Sequence, residues 1–490
     1  MTRASLSLIN DTPSILHRYS FGDNFDEMFD HHANPRELFL GVYQLLNSLT
    51  KQQLNIRQKA SDLSFLNQGI TFTVYHNSES SEHIFPYDLI PRLIDAQQWR
   101  ILEAGLIQRT LALNLFLHDI YHEAHILRDK VIPVELVYTC KHFRREMIGI
   151  NVPNKQYITL AGIDIIRDHH GKWFVLEDNL RVPSGASYVL SNREASQRAF
   201  PSLFNQYGIR SVNHYPQLLL NALKELAPHG KQDPMIVLLS PGAYNSAYYE
   251  HSFLGAQMGV PIVEGRDLIV HDNHVFLRTT QGLQPVDVIY RRLDDDFLDP
   301  LIFQSDSLLG VPGLFNAFQA GNVALANVPG TGVADDKAIY SFVPAIIRYY
   351  LQQEPLIDNV TTYLPENPEH LDFIKENIDQ LVIKPVGGAG GYGLLIGSQA
   401  SDTEKQVCLE QVIKNPRNYI AQPIIRLSTS PCYIDSRLVS RHVDLRPFVV
   451  FGKKPTVLPG GLTRVALKEG SLVVNSSQGG GSKDTWVLTG

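Results

Sequence analysis

The sequence predicts a mixed α/β protein with a helical N-terminal layer and a central open α/β domain, and three observations carry that prediction. Apolar positions recur at spacings of three and four through ELFLGVYQLLNSL and WRILEAGLIQRTLALNLFLHDIYHEAHIL, the period of helices with one buried face. From Met235 to Arg292, strand-like runs (MIVLLS, PIVEG, VDVIYRR) alternate with a helical run through YYEHSFLGAQMG, the pattern of an open α/β layer. The chain of 490 residues is 44% hydrophobic and 19% charged, a globular balance, and its length suggests about three domain-sized units.

Taken in order, residues 25 to 130 read as mainly helical. AGIDIIRD and KWFVLEDN then form a hairpin around the His-His-Gly turn signal. After the central layer, a final unit opens near Asn327 with GTGVADDKAIYSFVPAIIRYY and continues through LVIKPVGGAGGYGLLIG. It ends in strands carrying DLRPFVVFG and LTRVAL, and the Pro- and Asn-rich NVTTYLPENPEH reads as a surface connection.

Composition removes several function classes. No stretch approaches the roughly 18 apolar residues of a membrane span. Lysine plus arginine number 43 against 50 acidic residues, and the net charge of -7 gives no electrostatic case for nucleic acid as partner. Cys140, Cys408 and Cys432 are far apart and in no CxxC arrangement, so neither a disulfide framework nor a thiolate zinc site is indicated. A reducing cytoplasm is the expected location, and the N-terminus has no signal-peptide run.

Gly388-Ala389-Gly390-Gly391-Tyr392-Gly393 matches GxGxxG. A dinucleotide fingerprint would open a helix, whereas Leu394, Leu395 and Ile396 read as a strand, and a Walker loop would place its lysine after the glycines. What remains is a strand, glycine loop, strand hairpin whose backbone N–H groups can approach phosphate oxygens, with Lys384 on the incoming strand. The competing reading is a flexible surface hairpin.

In VLEDN, Glu177 and Asn179 are two apart and share one face of a strand. A four-residue turn from Asp168 to Gly171 would set Asp164 opposite Val175, on the same face as Glu177 at the diagonal position; a three-residue turn would set it on the other face. Two carboxylates and an amide oxygen suit Mg²⁺, which shares its remaining positions with water and phosphates. The alternative is a solvated hairpin face with ordinary charges.

With Lys337 in ADDK, Lys384, Arg446 in DLRPF and Glu177-Asp178-Asn179, the set resembles the ATP-grasp superfamily. There the carboxylate-x-Asn strand comes last, but here it comes first, the mark of a circular permutation. EDNLRVPSGASYVL, SPGAYNSAYYEH, VDVIYRRLDDDFLDP, GTGVADDKAIY and NSSQGGGSKDTWVL are similar to runs of the circularly permuted ATP-grasp family (type 2). The resemblance extends more distantly to glutathionylspermidine synthetase and eukaryotic glutathione synthetase. It implies a circularly permuted ATP-grasp fold, split as 1–130 mainly helical, 131–195 with the metal hairpin, 196–326 central α/β, and 327–490 with the nucleotide lysines and glycine loop.

It further implies ATP and Mg²⁺ as cofactors, with Lys337, Lys384, Gly388, Gly390, Gly391, Gly393, Gln422 and Ile424 at the nucleotide. Tyr419 to Ile424 would be the adenine hinge, and Asp164, Glu177 and Asn179 the metal ligands. Arg446, Arg464 and Arg181 would be catalytic, because positive charge is needed where negative charge spreads over the transferred phosphoryl group. Single-residue alternatives are a salt bridge from Arg446 to Asp444 and a helix-end role for Lys337. Arg291, Arg292 and Ser184 are candidates for a substrate carboxylate, since the two arginines end a strand where open α/β sheets bind ligands.

His118, His122 and His125 lie on neighbouring helical turns, but HEAH is not HExxH and a solvated or pocket-lining face is the better reading. The expected activity is ligation of a small-molecule or peptide carboxylate to an amine through an acyl phosphate, releasing ADP and phosphate. Its rivals are a nucleotide-binding regulatory protein without turnover and a kinase acting on a hydroxyl. The permutation also requires the run near Asn475 to lie beside the hairpin that starts at Gly162, and SSQGGGS, followed by TWVL and in its place in the ATP-grasp order, is read as a mobile loop over the triphosphate.

Overall fold

The computed structural model describes residues 15–76, 79–388, 393–467, 474 and 480–490. Helices Leu40–Ser48, Lys51–Asn67 and Ala96–Ile120 form the N-terminal layer. The starts of the last two are locally encoded. The Thr50 hydroxyl accepts the Gln53 backbone N–H while the Gln53 side chain accepts that of Thr50, and Asp95 accepts the N–H groups of Gln97 and Gln98. Ala96–Ile120 buries Trp99, Leu102, Leu106, Leu113, Phe116, Leu117 and Ile120 in the main core.

The expected run of helix over 25–130 needs correcting between Thr71 and Ile94. Thr71–His76, Glu79–Ile84 and Tyr87–Ile94 are strands, the last running parallel to Gly481–Val487. Every residue of Tyr87–Ile94 is buried, so the run has no alternation from which a period could be read. Pro91 falls where the register shifts between Lys483 and Thr485, a position at which its missing N–H breaks no ladder bond.

The central sheet is parallel, in the order Ala324–Ala326, Val288–Arg291, Ile236–Leu239, Ile262–Val263, with helix Tyr248–Met258 as one crossover. An antiparallel meander, Leu268–His271, His274–Thr279 and Gly282–Val286, is inserted before Val288. In the final unit, Leu381–Pro385 lies between Leu395–Ile396 and Tyr419–Pro423, all antiparallel, so the glycine loop joins two paired strands as expected. Helices Pro368–Asn377 and Asp402–Lys414 cover this sheet through Ile374 and Val412, which pack on Leu381, Ile383 and Ala421.

One sheet joins distant parts of the sequence. Its order is Asp358–Asn359, Trp173–Asn179, Leu160–Arg167, Phe448–Phe451, Pro455–Val457. Gly162 pairs with Phe448, and Ile165 and Leu445 exchange backbone hydrogen bonds. Arg446 exchanges a second pair with Leu462, which brings in Thr463–Val465. Asp358–Asn359 corrects another expectation: the start of the Pro- and Asn-rich connection is an edge strand beside Phe174 and Val175, with Val360 buried after it. Among the described residues, no helix is long and apolar enough to cross a membrane.

Candidate functional site

The hairpin brings the expected carboxylates together by a different register. Asp168 accepts the N–H groups of both His170 and Lys172, which lengthens the turn so that Arg167 pairs with Trp173. A regular ladder from there would pair Asp164 with Leu176 and turn it away from Glu177. A bulge at Leu176 restores the face: Asp164 stands directly opposite Glu177, and Gly162 opposite Asn179. Asp164, Glu177 and Asn179 therefore share one face of the sheet.

Three antiparallel segments set an arginine pair against Asp164. Asp444 and Arg446 alternate with Leu445, which pairs with Ile165, and Arg464 lies across from Asp444 on the next segment. Arg446 donates from Nε to Asp164 Oδ1 at 2.5 Å and from Nη2 to Oδ2 at 2.9 Å, a bidentate pair. Arg464 donates to Asp164 Oδ2 at 2.7 Å and from Nε to both Asp444 oxygens at 3.0 Å. Burial pushes the Asp164 carboxyl up, but the two guanidiniums outweigh it and hold it well below the usual carboxylate range. Burial raises the Asp444 carboxyl despite Arg464.

Lys337 and Lys384 reach the same cleft from the final unit. Asp336 caps the turn Lys337–Tyr340 by accepting the Ala338 N–H at 2.8 Å. Lys337 Nζ then lies 3.6 Å from Glu177 Oε2 and donates to the Gly388 carbonyl at 2.6 Å, so it joins the hairpin to the start of the GxGxxG run. Lys384 donates to Gln422 Oε1 at 2.7 Å, and Gln422 donates to Thr362. Burial pushes the Lys384 ammonium down to about 8, with Lys337 adding to the effect and Glu177 and Asp164 opposing it. Four cationic side chains (Lys337, Lys384, Arg446, Arg464) thus face three carboxylates (Asp164, Glu177, Asp444), an arrangement with positive charge to spare for a polyanion.

The donor set also fits a hard cation. Two carboxylates and an amide lie on one face, and the Asn179 amide nitrogen is buried without a partner among the described residues. Since the two ends of an amide are interchangeable by rotation, Asn179 can present its oxygen there. Among the described residues no three His, Cys, Asp or Glu side chains form a metal cluster. Glu177 and Asn179 are the members of the hairpin set not held by an arginine.

Other expected residues stand elsewhere. Arg181 is tied to Asp335 at 3.0 Å and Asp294 at 2.6 Å, at the junction with the central domain, and not to Asp164. Burial pushes the Asp335 carboxyl up to about 6 against the pull of Arg181. Arg291 is fully buried and spends its donors on the carbonyls of Asn327 and Leu293 and on Asp295, which corrects its expected role as a substrate ligand. Arg292 is likewise buried, donating to the Pro183 carbonyl, Ser184 Oγ and Glu250. It fixes the loop after the hairpin, whose Ser184 carbonyl accepts from Arg446. Both arginines are drawn inward because the strand they end is covered on both faces.

Gln422 is 2% exposed and engaged by Lys384. Ile424 donates its N–H to the Gln380 carbonyl, and Gly388 and Gly393 flank the loop. Gly390, Gly391 and Asn475 lie outside the described residues, as do residues 476–479 of SSQGGGS; its Gly481 and Ser482 correct the expected loop, since they open the buried strand Gly481–Val487 that pairs with Thr463–Val465. Val474 packs with Ile166 of the hairpin. His122 donates from Nδ1 to the His118 carbonyl, and His125 pairs with Asp119, so the histidine row forms local contacts. Asp444, whose sequence reading is a surface partner of Arg446, is instead fully buried against Arg464; its shared face with Arg446 is the signal in the sequence.

A glycine-loop sheet facing a carboxylate and arginine sheet, with one lysine on each side of the loop contact, is the arrangement of an ATP-grasp protein. The chain belongs to the circularly permuted ATP-grasp type 2 family, whose model matches residues 91–466. It is 50% identical over 476 residues to an uncharacterized protein of Synechocystis sp., covering 97% of this chain and 99% of that protein. An uncharacterized protein of Mycobacterium tuberculosis is 52% identical over 465 residues, covering 95% of this chain and 84% of the relative. A Frankia alni protein named "Putative glutamate--cysteine ligase 2-3" is 41% identical over 478 residues, 97% of this chain and 55% of that protein. In fold, the chain is similar to a glutathione synthetase-like effector of Globodera pallida, with a TM-score of 0.58 and 10% identity over 90% of this chain and 98% of the other.

Proposed function

We propose that the protein is an ATP-dependent ligase that joins a carboxylate to an amine and releases ADP and phosphate. The observation that carries this reading is the meeting of Lys337, Lys384, Arg446 and Arg464 with Asp164 and Glu177 in one cleft. A carboxylate oxygen attacks the γ-phosphorus and the bond to ADP breaks. The amine nitrogen then attacks the acyl carbon, loses a proton, and phosphate leaves with both electrons of the C–O bond. Lys337 and Lys384 hold the phosphates, and Arg446 and Arg464 balance the charge that spreads over the transferred group. Glu177, Asn179 and Asp164 would hold a Mg²⁺ ion, which would supply neutralising charge to the phosphates. The ligase name of the Frankia relative points the same way, although this chain corresponds to 55% of that protein.

The test is mass spectrometry of products formed from ATP and a metabolite pool, with ADP and phosphate measured together. A condensation product with both released supports the ligase. A phosphorylated product without free phosphate makes the protein a kinase, and binding without ADP makes it a regulator; either overturns the reading.

Lys384 gives this site a pH dependence. With its ammonium pushed down to about 8, the side chain is charged below that pH and neutral above it, and phosphate binding needs the charged form. ATP affinity is expected to be full near about pH 7 and to fall by up to about tenfold per unit above about pH 8, with proton uptake on binding. Calorimetry at the two pH values in buffers of different ionisation enthalpy measures both. Lys384→Ala should bind ATP more weakly and lose the dependence; equal wild-type affinity at both pH values would remove Lys384 from the phosphates.

A further inference from the structure

Lys141 lies in the turn after helix Val134–Tyr138, upstream of every residue assigned to the site above. Its backbone is fixed to the nucleotide side of the cleft. Leu136 and Val137 are in the main core, and the flanking Cys140 and His142 are 5% and 4% exposed. Arg417 donates to the Leu136 carbonyl at 2.7 Å, to Thr139 Oγ1 at 3.2 Å and to Asp336 at 2.9 Å. Asp336 is the residue that caps the turn carrying Lys337, so one guanidinium fixes both segments together.

From this anchored turn the exposed Lys141 side chain reaches Gly387, which leads into the glycine loop. A Cβ placed on Gly387 would lie 3.2 Å from Lys141 Cε and 3.6 Å from both Cδ and Nζ. The next residue, Gly388, is the one whose carbonyl receives Lys337. Of the other basic side chains at the cleft and its rim, Lys337 is paired with Glu177, Arg446 and Arg464 with Asp164, Arg181 with Asp335 and Arg417 with Asp336, while Lys384 is held by Gln422. Lys141 makes no ion pair or side-chain hydrogen bond among the described residues. A third ammonium on the side that carries Lys337 adds repulsion, which no ion pair of Lys141 among the described residues offsets; an anion beside Gly388 would.

We propose that Lys141 is a third phosphate-binding lysine, reaching from the N-terminal segment onto the β- and γ-phosphates of a nucleoside triphosphate. The proposal rests on the nucleotide reading of this cleft. Lys141 is then a binding residue for the phosphate tail and makes no contact with the adenosine.

Calorimetric titration of the full chain with ATP, ADP and AMP in the presence of Mg²⁺ tests it. Lys141→Ala is expected to weaken ATP binding about tenfold, to weaken ADP less, and to leave AMP unchanged, because only the distal phosphates lose a charge-assisted contact. Lys141→Arg should restore ATP affinity, and raised salt should narrow the difference between wild type and Lys141→Ala. The unchanged AMP affinity certifies that the variant is folded. Equal ATP affinity in wild type and Lys141→Ala overturns the role of Lys141 alone, as does an equal loss for ATP and AMP. A wild-type protein that binds none of the three nucleotides overturns the nucleotide reading and the role of Lys141 with it.

Discussion

Arg464→Ala is expected to destabilise the folded protein by about 3–5 kcal/mol, seen as a fall in the denaturant midpoint, because it strands buried charge. Arg464 is 5% exposed, and the carboxylates it serves, Asp444 and Asp164, are fully buried. Asp164 keeps Arg446, but Asp444 loses the one guanidinium that holds it. Burial already raises the Asp444 carboxyl with Arg464 in place, so without Arg464 the group will take up a proton in the folded state more readily than in the unfolded chain. The sign follows from that. The penalty is fully present above the raised folded pKa and is relieved as the pH falls toward the ordinary carboxylate value, since the folded form then binds the extra proton. Adding Asp444→Asn should recover part of the loss at neutral pH by removing the stranded charge. A midpoint equal to that of wild type would mean that Asp444 is not held by Arg464 in solution.

The hairpin shows how much of this site could be read in advance. The Glu177-x-Asn179 spacing fixes a shared face whatever the register, and that much needs nothing beyond the period of a strand. The placement of Asp164 depended on the turn, where the reading rested on His-His-Gly and missed the Asp168 side chain closing a longer loop. The resulting one-residue offset is cancelled by a bulge at Leu176, which carries no Gly or Pro to announce it. Two features that are individually silent in the sequence thus return Asp164 to the expected face. Arg291 and Arg292 illustrate the opposite outcome. Their position at a strand end favours ligand binding in general, but both are buried, where carbonyl oxygens and the carboxylates of Asp295 and Glu250 claim their donors. The partition of four cations among three carboxylates is a property of chain segments as far as 300 residues apart, such as Asp164 and Arg464, and no local pattern encodes it.

The second large effect belongs to Arg446, whose neighbourhood differs from that of Arg464 in a way that separates turnover from stability. Arg446 is 15% exposed in its side chain against 6% for Arg464, and its one carboxylate partner, Asp164, is also held by Arg464. Removing Arg446 therefore leaves Asp164 paired, and the fold is expected to lose less than it does in Arg464→Ala. Under the ligase reading, Arg446 exchanges Asp164 for the phosphoryl oxygens as charge develops there, while Arg464 keeps Asp164 paired. Arg446→Ala should then lower ADP release by about 10²- to 10³-fold, the scale of a lost transition-state donor, while ATP affinity stays near that of wild type. Arg446→Lys keeps a charge but cannot form the bidentate contact, and it should fall between the two. Rates are measured by ADP release once a substrate pair is in hand, and affinity by calorimetry on the same preparations. Wild-type turnover in Arg446→Ala would remove this arginine from the reacting group, and a parallel loss of ATP affinity would make it a nucleotide-binding residue instead.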